Sequence, residues 1–248
     1  MIVLKSPQEI ERMKVPCKMV AEVLEVLKAL VRPGVTTLAL NDTAEKETIR
    51  RGAKPAFKGY SGYPYSLCCS VNDQVVHGMP SSESLHDGDI VSLDFGVFFD
   101  GFYGDAAVTL PVGTVSDGAT RLIKATEESL VAAIKAATTE NRLSDISHAV
   151  QSYVEQRGYS VVRDFVGHGI GKSLHESPQL PNYGLPGRGM KLKPGMVLAI
   201  EPMINEKGHA VRVLEDGWTA VTVDGGLSAH FEHTVAITGH GPEILTKL

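Results

Sequence analysis

Asp89-Ile-Val-Ser-Leu-Asp94-Phe-Gly-Val-Phe-Phe99-Asp100-Gly101-Phe102-Tyr-Gly-Asp105-Ala-Ala-Val-Thr-Leu110 reads as two strands, Asp89 to Phe98 and Phe102 to Leu110. The Asp-Gly pair between them is the strongest short signal for a tight hairpin. A two-residue turn there sets Phe99 opposite Phe102, so facing residue numbers sum to 201. Gly96 then faces Asp105, and Asp94 lies two positions along on the same face. Both carboxylates point the same way as diagonal neighbours, within reach of one ion. On a solvated sheet face they would be ordinary surface acids. Ile90, Leu93, Phe95, Phe98, Phe99 and Phe102 crowd the same segment, however, and predict burial on both sides. A buried carboxylate needs a cation or a partner.

Around this hairpin the chain reads as one unit used twice. Ser6-Pro7-Gln8-Glu9 is a capping box with proline at the first helical position. Met13, Cys17, Val20, Leu24, Leu27 and Val31 form one apolar helix face, with a kink or break expected at Pro16. A second helix is expected from about Leu38 to Arg51, stopping at Gly52. An aromatic loop, Gly59 to Tyr65, and a strand from Ser66 to Val76 lead to His77. After the hairpin, helices are predicted from Asp117 to Ala136 and from about Ser144 to Arg157-Gly158. Gly167-His168-Gly169 then stands where Gly59 to Gly62 stood. Gly195 to Glu201 matches Gly88 to Asp94, and Glu232 precedes Gly239 much as Asp105 precedes Gly113. The order implies a single catalytic α+β domain over 1–248, a pseudo-twofold repeat of roughly 7–113 and 117–240, with its site where the halves meet.

The other informative stretch is Phe165-Val-Gly-His168-Gly-Ile-Gly-Lys-Ser-Leu174-His175. Its histidines are too far apart for the i, i+4 pair of a zincin helix, and Val166 stands where a Walker loop needs glycine. The spacing predicts an irregular loop whose glycines let the backbone approach a buried object closely. Asp94, Asp105, Glu201 and Glu232 then supply four carboxylates and His168 one imidazole. Four ionised carboxylates in one pocket need compensating cations, and two divalent ions balance them. Oxygen ligands with one imidazole favour Mn, Fe, Co or Zn over a thiolate metal. Two such ions, roughly 3.5–4 Å apart, can hold a hydroxide and polarise a carbonyl together, the machinery of metal-assisted hydrolysis.

With Glu201-Pro202-Met203 and Glu232-His233-Thr234, these motifs make the chain resemble the type I methionine aminopeptidases along essentially its whole length. The resemblance implies the pita-bread fold and removal of the initiator methionine from nascent chains whose second residue is small, by dinuclear-metal-activated hydroxide attack on the first peptide bond. It implies that Asp94, Asp105, His168, Glu201 and Glu232 bind the two divalent metals. It also implies catalytic roles for His77, which touches the substrate near the scissile amide, for His175, which stabilises the tetrahedral intermediate, and for Glu201 as proton shuttle. Phe57, Tyr60, Tyr63, Cys68, Leu174 and Trp218 match the methionine pocket. Ala106 departs from relatives that often carry a hydroxyl there, and a loosened hydrogen bond behind the ligands is the expected consequence. A proline-specific peptidase of the same fold would carry a further N-terminal domain, for which the few residues before Ser6 leave no room. A catalytically dead peptide-binding relative would have lost ligands that are all present here.

Composition excludes other classes. A formal charge of −5 without a basic block argues against sequence-specific nucleic-acid binding. No apolar run approaches membrane-spanning length, and the start of the chain turns polar too soon for a signal peptide. Three cysteines suit no disulfide framework, so a reducing cytoplasm is expected. N-terminal peptides of nascent proteins near the ribosome are the expected partners, met by a monomer. His86, His148, His209, His230 and His240 are read as surface residues, and His233 as facing away from its ligand neighbour by strand alternation.

Overall fold

Residues 2–248 are described by a computed structural model; Met1, where the stretch read as too short for a signal peptide begins, lies outside the described residues. In chain order the helices and strands of the first half are α1 (Pro7–Leu30), α2 (Thr37–Arg50), β1 (Lys54–Pro55), β2 (Cys68–Val71), β3 (Gln74–Val76), β4 (Ile90–Phe99) and β5 (Phe102–Pro111). There follow α3 (Asp117–Ala136), α4 (Leu143–Glu155), β6 (Ser160–Val161), β7 (Gly167–Gly169), β8 (Glu176–Leu180), β9 (Val197–Ile200) and β10 (Met203–Asn205). The last strands are β11 (Val211–Val213), β12 (Ala220–Thr222), β13 (Ser228–His230), β14 (Glu232–Thr238) and β15 (Gly241–Ile244).

Helix α1 starts where the capping box places it: Ser6 Oγ accepts from the Glu9 N–H at 3.2 Å, and Glu9 Oε2 accepts from the Ser6 N–H at 3.0 Å. Pro16 neither breaks nor splits α1. Its neighbour Cys17 sits against β5 at Gly104, where a Cβ would come within 2.7 Å of the Cys17 nitrogen. Met13, Cys17, Val20, Leu24 and Leu27 are fully or almost fully buried along that face. The contact of a continuous apolar stripe outweighs the one helical bond that proline removes.

A nine-stranded sheet carries the order β1-β4-β5-β14-β9-β7-β8, with β2 on β4 and β15 on β14. The hairpin has the expected register throughout, from Ile90 opposite Pro111 to Phe99 opposite Phe102. Thr234 joins the halves at the central β5–β14 seam: its hydroxyl donates to the Asp105 carbonyl at 2.8 Å and accepts from the Asp105 N–H at 3.1 Å. Val91, Leu93, Phe95 and Val97 join the core formed with α1 and α2. Leu198, Ile200, Val235 and Ile237 join a second core beneath α3 and α4. Alternation therefore turns Asp94, Asp105 and Glu232 to the sheet face that these helices leave open.

Two expectations are corrected here. The segment from Ser66 to Val76 is two strands, because Asn72 turns the chain with φ +56° and its amide is held by Asp89 and Ile90. Gly167-His168-Gly169 is strand β7, paired with β8 and β9, rather than an irregular loop. Its glycines serve close approach between strands: a Cβ on Gly167 would meet the Ala199 carbonyl oxygen at 2.5 Å.

Candidate metal centre

Five adjacent strands deliver one group each to the open face: Asp94 from β4, Asp105 from β5, Glu232 from β14, Glu201 from the end of β9 and His168 from β7. Ligand atoms of Asp105, His168 and Glu232 lie within 4.8 Å of one another. His168 Nδ1 donates to the Gly169 carbonyl at 2.9 Å, which leaves the Nε2 lone pair free, 3.4 Å from Glu201 Oε1. Burial, first, holds His168 at a pKa of about 4, so the ring is neutral as a ligand must be.

The carboxylates respond in the opposite sense. Burial pushes Asp94 up to about 7. Asp105, Glu201 and Glu232 are driven well above the usual carboxylate range, by burial first and by one another second. Asp94 Oδ1, Asp105 Oδ1 and Glu232 Oε1 are buried without any hydrogen-bond partner. Orphaned, mutually repelling oxygens facing a neutral imidazole are a donor set that divalent cations fit. Ala106 has no part in this face. It pairs with Phe95 and points into the core under α1, and it reaches Asp105 only through its backbone N–H.

All five groups open into one cavity of about 310 Å³, which His77, His175, Phe57, Tyr60, Tyr63, Cys68, Leu174 and Trp218 also line. Cys68 faces Asp94 directly across β2 and β4. His175 Nδ1 is 2.7 Å from the Tyr60 hydroxyl, and its ring centroid is 4.3 Å from that of His168. His77 takes a left-handed backbone (φ +59°) just after β3, which turns its ring edge-on to Phe165 and Trp218. A non-glycine residue held there is strained, as residues at functional sites often are.

Sequence reasoning missed Phe165 and Met203 as walls and the exposed carboxylate of Asp164 at the mouth. It misread His230, which is 1% exposed and not a surface residue. Its Nε2 lies 3.8 Å from Glu201 Oε2 and has no hydrogen-bond partner. The only available signal was its position two residues before Glu232; strand alternation does not carry it, because β13 ends at His230 and β14 begins at Glu232 in another sheet. His233 does face away, toward Thr246 at 2.9 Å.

These shifts set a pH dependence. The metal-free native state holds protons on the carboxylates that a cation would displace, so it binds more protons than the loaded state. Affinity for Mn²⁺ or Co²⁺ should therefore rise with pH through about 7, the value to which burial pushes Asp94. Titration calorimetry at pH 6 and pH 8, in buffers of different ionisation enthalpy, should show proton release at the lower pH. Affinity that is flat across this window would mean that the acids are already ionised without metal.

The family model for metallopeptidase family M24 matches residues 11–239. The methionine aminopeptidase of Clostridium perfringens is 56% identical over 248 residues, the whole of both chains. The crystal structure of methionine aminopeptidase from Thermotoga maritima superposes with a TM-score of 0.98 at 50% identity, again over the whole of both chains. The prolidase of Pyrococcus furiosus shares the fold alone, with a TM-score of 0.79 at 22% identity over 99% of this chain but 66% of its own. The fold is the pita-bread fold of these metallopeptidases. The chain belongs to metallopeptidase family M24 and, within it, to the methionine aminopeptidases.

Proposed function

We propose that this chain removes the initiator methionine from new polypeptides whose second residue is small. The observation that carries the reading is the single cavity in which the acids of β4, β5, β9 and β14 meet an apolar, aromatic-lined wall. Asp94, Asp105, His168, Glu201 and Glu232 would hold two divalent cations, Co, Mn, Fe or Zn. Bound there, the cations supply Lewis acidity and a nucleophile active at neutral pH.

The chain's own groups do the rest. Phe57, Tyr60, Tyr63, Cys68, Leu174 and Trp218 take the unbranched methionine side chain, whose sulfur gains about 0.3–1.5 kcal/mol per aromatic contact. His77 places the segment beyond the scissile bond. Glu201 accepts the proton from the attacking water and passes it to the leaving amine as the carbon–nitrogen bond breaks. His175 is held neutral by burial and donates to the carbonyl oxygen as charge develops there. Three buried, unpaired cysteines fit a reducing compartment, and the cytoplasm near the ribosome is the place this reading assigns to a monomeric enzyme.

Met-Ala-Ser, Leu-Ala-Ser, Met-Ile-Ser and Ala-Pro-Ser under identical metal loading test the proposal. Met-Ala-Ser should be cleaved fastest, with Leu-Ala-Ser slower by more than the 10–200-fold, roughly, that one methylene provides. Faster cleavage of Ala-Pro-Ser would move the activity to the proline-specific branch of the fold. Equal cleavage of Met-Ile-Ser would refute a crowded exit beside His77.

A further inference from the structure

We infer that Lys5 and Glu176 are positioning residues for His175: their buried ion pair fixes the bend that presents the His175 ring to the cavity. The inference rests on the reading of His175 as the oxyanion donor and extends it to the two groups that hold it.

The bend needs such a device. Strand β7 ends at Gly169 and β8 begins at Glu176, so Gly171 to His175 lies outside any strand ladder. That segment nevertheless supplies Leu174 and His175 to the cavity. At its start the Tyr103 N–H donates to the Gly171 carbonyl at 2.9 Å. Lys172 and Ser173, at its crest, are exposed. Glu176 holds the crest: its Oε1 accepts from the Lys172 N–H at 2.8 Å and from the Ser173 N–H at 3.2 Å.

The carboxylate is anchored in turn. Its other oxygen, Oε2, accepts from Lys5 Nζ, on a side chain only 3% exposed, and the same ammonium donates to the Val3 carbonyl at 3.2 Å. The Lys5 backbone is tied down as well, its N–H donating to the Gly195 carbonyl at 2.7 Å. The lysine stem runs directly against the bend: a Cβ on Gly171 would meet Lys5 Cε at 2.4 Å and Glu176 Oε1 at 2.7 Å. Burying such a pair costs desolvation that its attraction often fails to repay, so stability alone gives no reason for it. Position does. Glu176 follows His175 in the chain, and one ammonium with two N–H groups of the bend fixes where its carboxylate stands. The ring so placed meets the Tyr60 hydroxyl at 2.7 Å.

The test is a double-mutant cycle on the full chain under identical metal loading, with Met-Ala-Ser as substrate. Wild type, Glu176→Gln, His175→Ala and the two substitutions together are compared, with metal content and melting temperature measured beside kcat and KM. Glu176→Gln should lower kcat by roughly 10–10²-fold, the upper figure being the effect of a group misplaced by about 1 Å. Metal content should be unchanged and KM should change less than kcat. In the His175→Ala background the same substitution should cost nothing further, because no ring is left to aim. A substitution that merely loosened the fold would slow both backgrounds alike, and that result would overturn the inference. So would an unchanged kcat in Glu176→Gln, including one with a raised KM, which would assign the pair to the pocket wall at Leu174. If Glu176→Gln leaves Lys5 unpaired and lowers the melting temperature, Lys5→Met combined with Glu176→Gln removes both charges, and the cycle is run on that pair. Wild-type turnover in His175→Ala would instead overturn the oxyanion reading on which the inference rests.

Discussion

Glu201→Gln, fully loaded with metal, should turn over Met-Ala-Ser at least roughly 10²–10⁴-fold more slowly than wild type, the range a general base contributes. The amide keeps the shape of the side chain but can neither accept the proton of the attacking water nor supply the charge that offsets a cation. The fold should not suffer. Glu201 is pushed toward its protonated form by burial and by Asp94 and Asp105, so removing its ionisable group relieves the cluster. At pH 8 the metal-free variant should melt at or above the wild-type temperature. Metal analysis beside the kinetics separates the two roles: a lost cation marks the ligand, and a retained cation with slow turnover marks the base. Near-normal turnover in a metallated Glu201→Gln enzyme would remove both assignments.

His175→Ala is expected to lower kcat by roughly 10²–10³-fold with KM changed little, because a donor to a developing oxyanion acts in the transition state. The structure supplies the neutral donor this requires. Burial lowers the His175 pKa, and the Tyr60 hydroxyl 2.7 Å from Nδ1 can donate there and leave the proton on Nε2. The ring is packed beside His168, with centroids 4.3 Å apart, so a ligand role must be tested directly. Atomic absorption on the purified variant does so. Unchanged metal content keeps His175 as the donor; collapsed content makes it a ligand and abolishes the oxyanion assignment.

Features set by neighbours in the chain were legible without coordinates. The Ser6–Glu9 capping box, the start of α3 and the Asp100-Gly101 hairpin depend on hydrogen bonds and turn geometry spanning a few residues. Once the turn is two residues long, the pleat puts Asp94 and Asp105 on one face, and no distant contact can alter that. The five residues proposed as ligands were reached through the motifs of the family the chain resembles. Composition and hydropathy could not have joined His168 to Asp94, which lies beyond three intervening strands.

What the tertiary structure decided depends on contacts between distant segments. Pro16 passes inside an unbroken helix because Gly104 lets α1 settle against β5. Gly167-His168-Gly169 is a strand because the carbonyls of β8 and β9 stand where side chains would otherwise be. His230 shows the limit most clearly. By residue type it belongs at the surface, yet Thr109 from the other half of the chain anchors its backbone beside Glu201 and Glu232. Residue preferences average over environments, and the environment of a side chain is made by the strands that close over it.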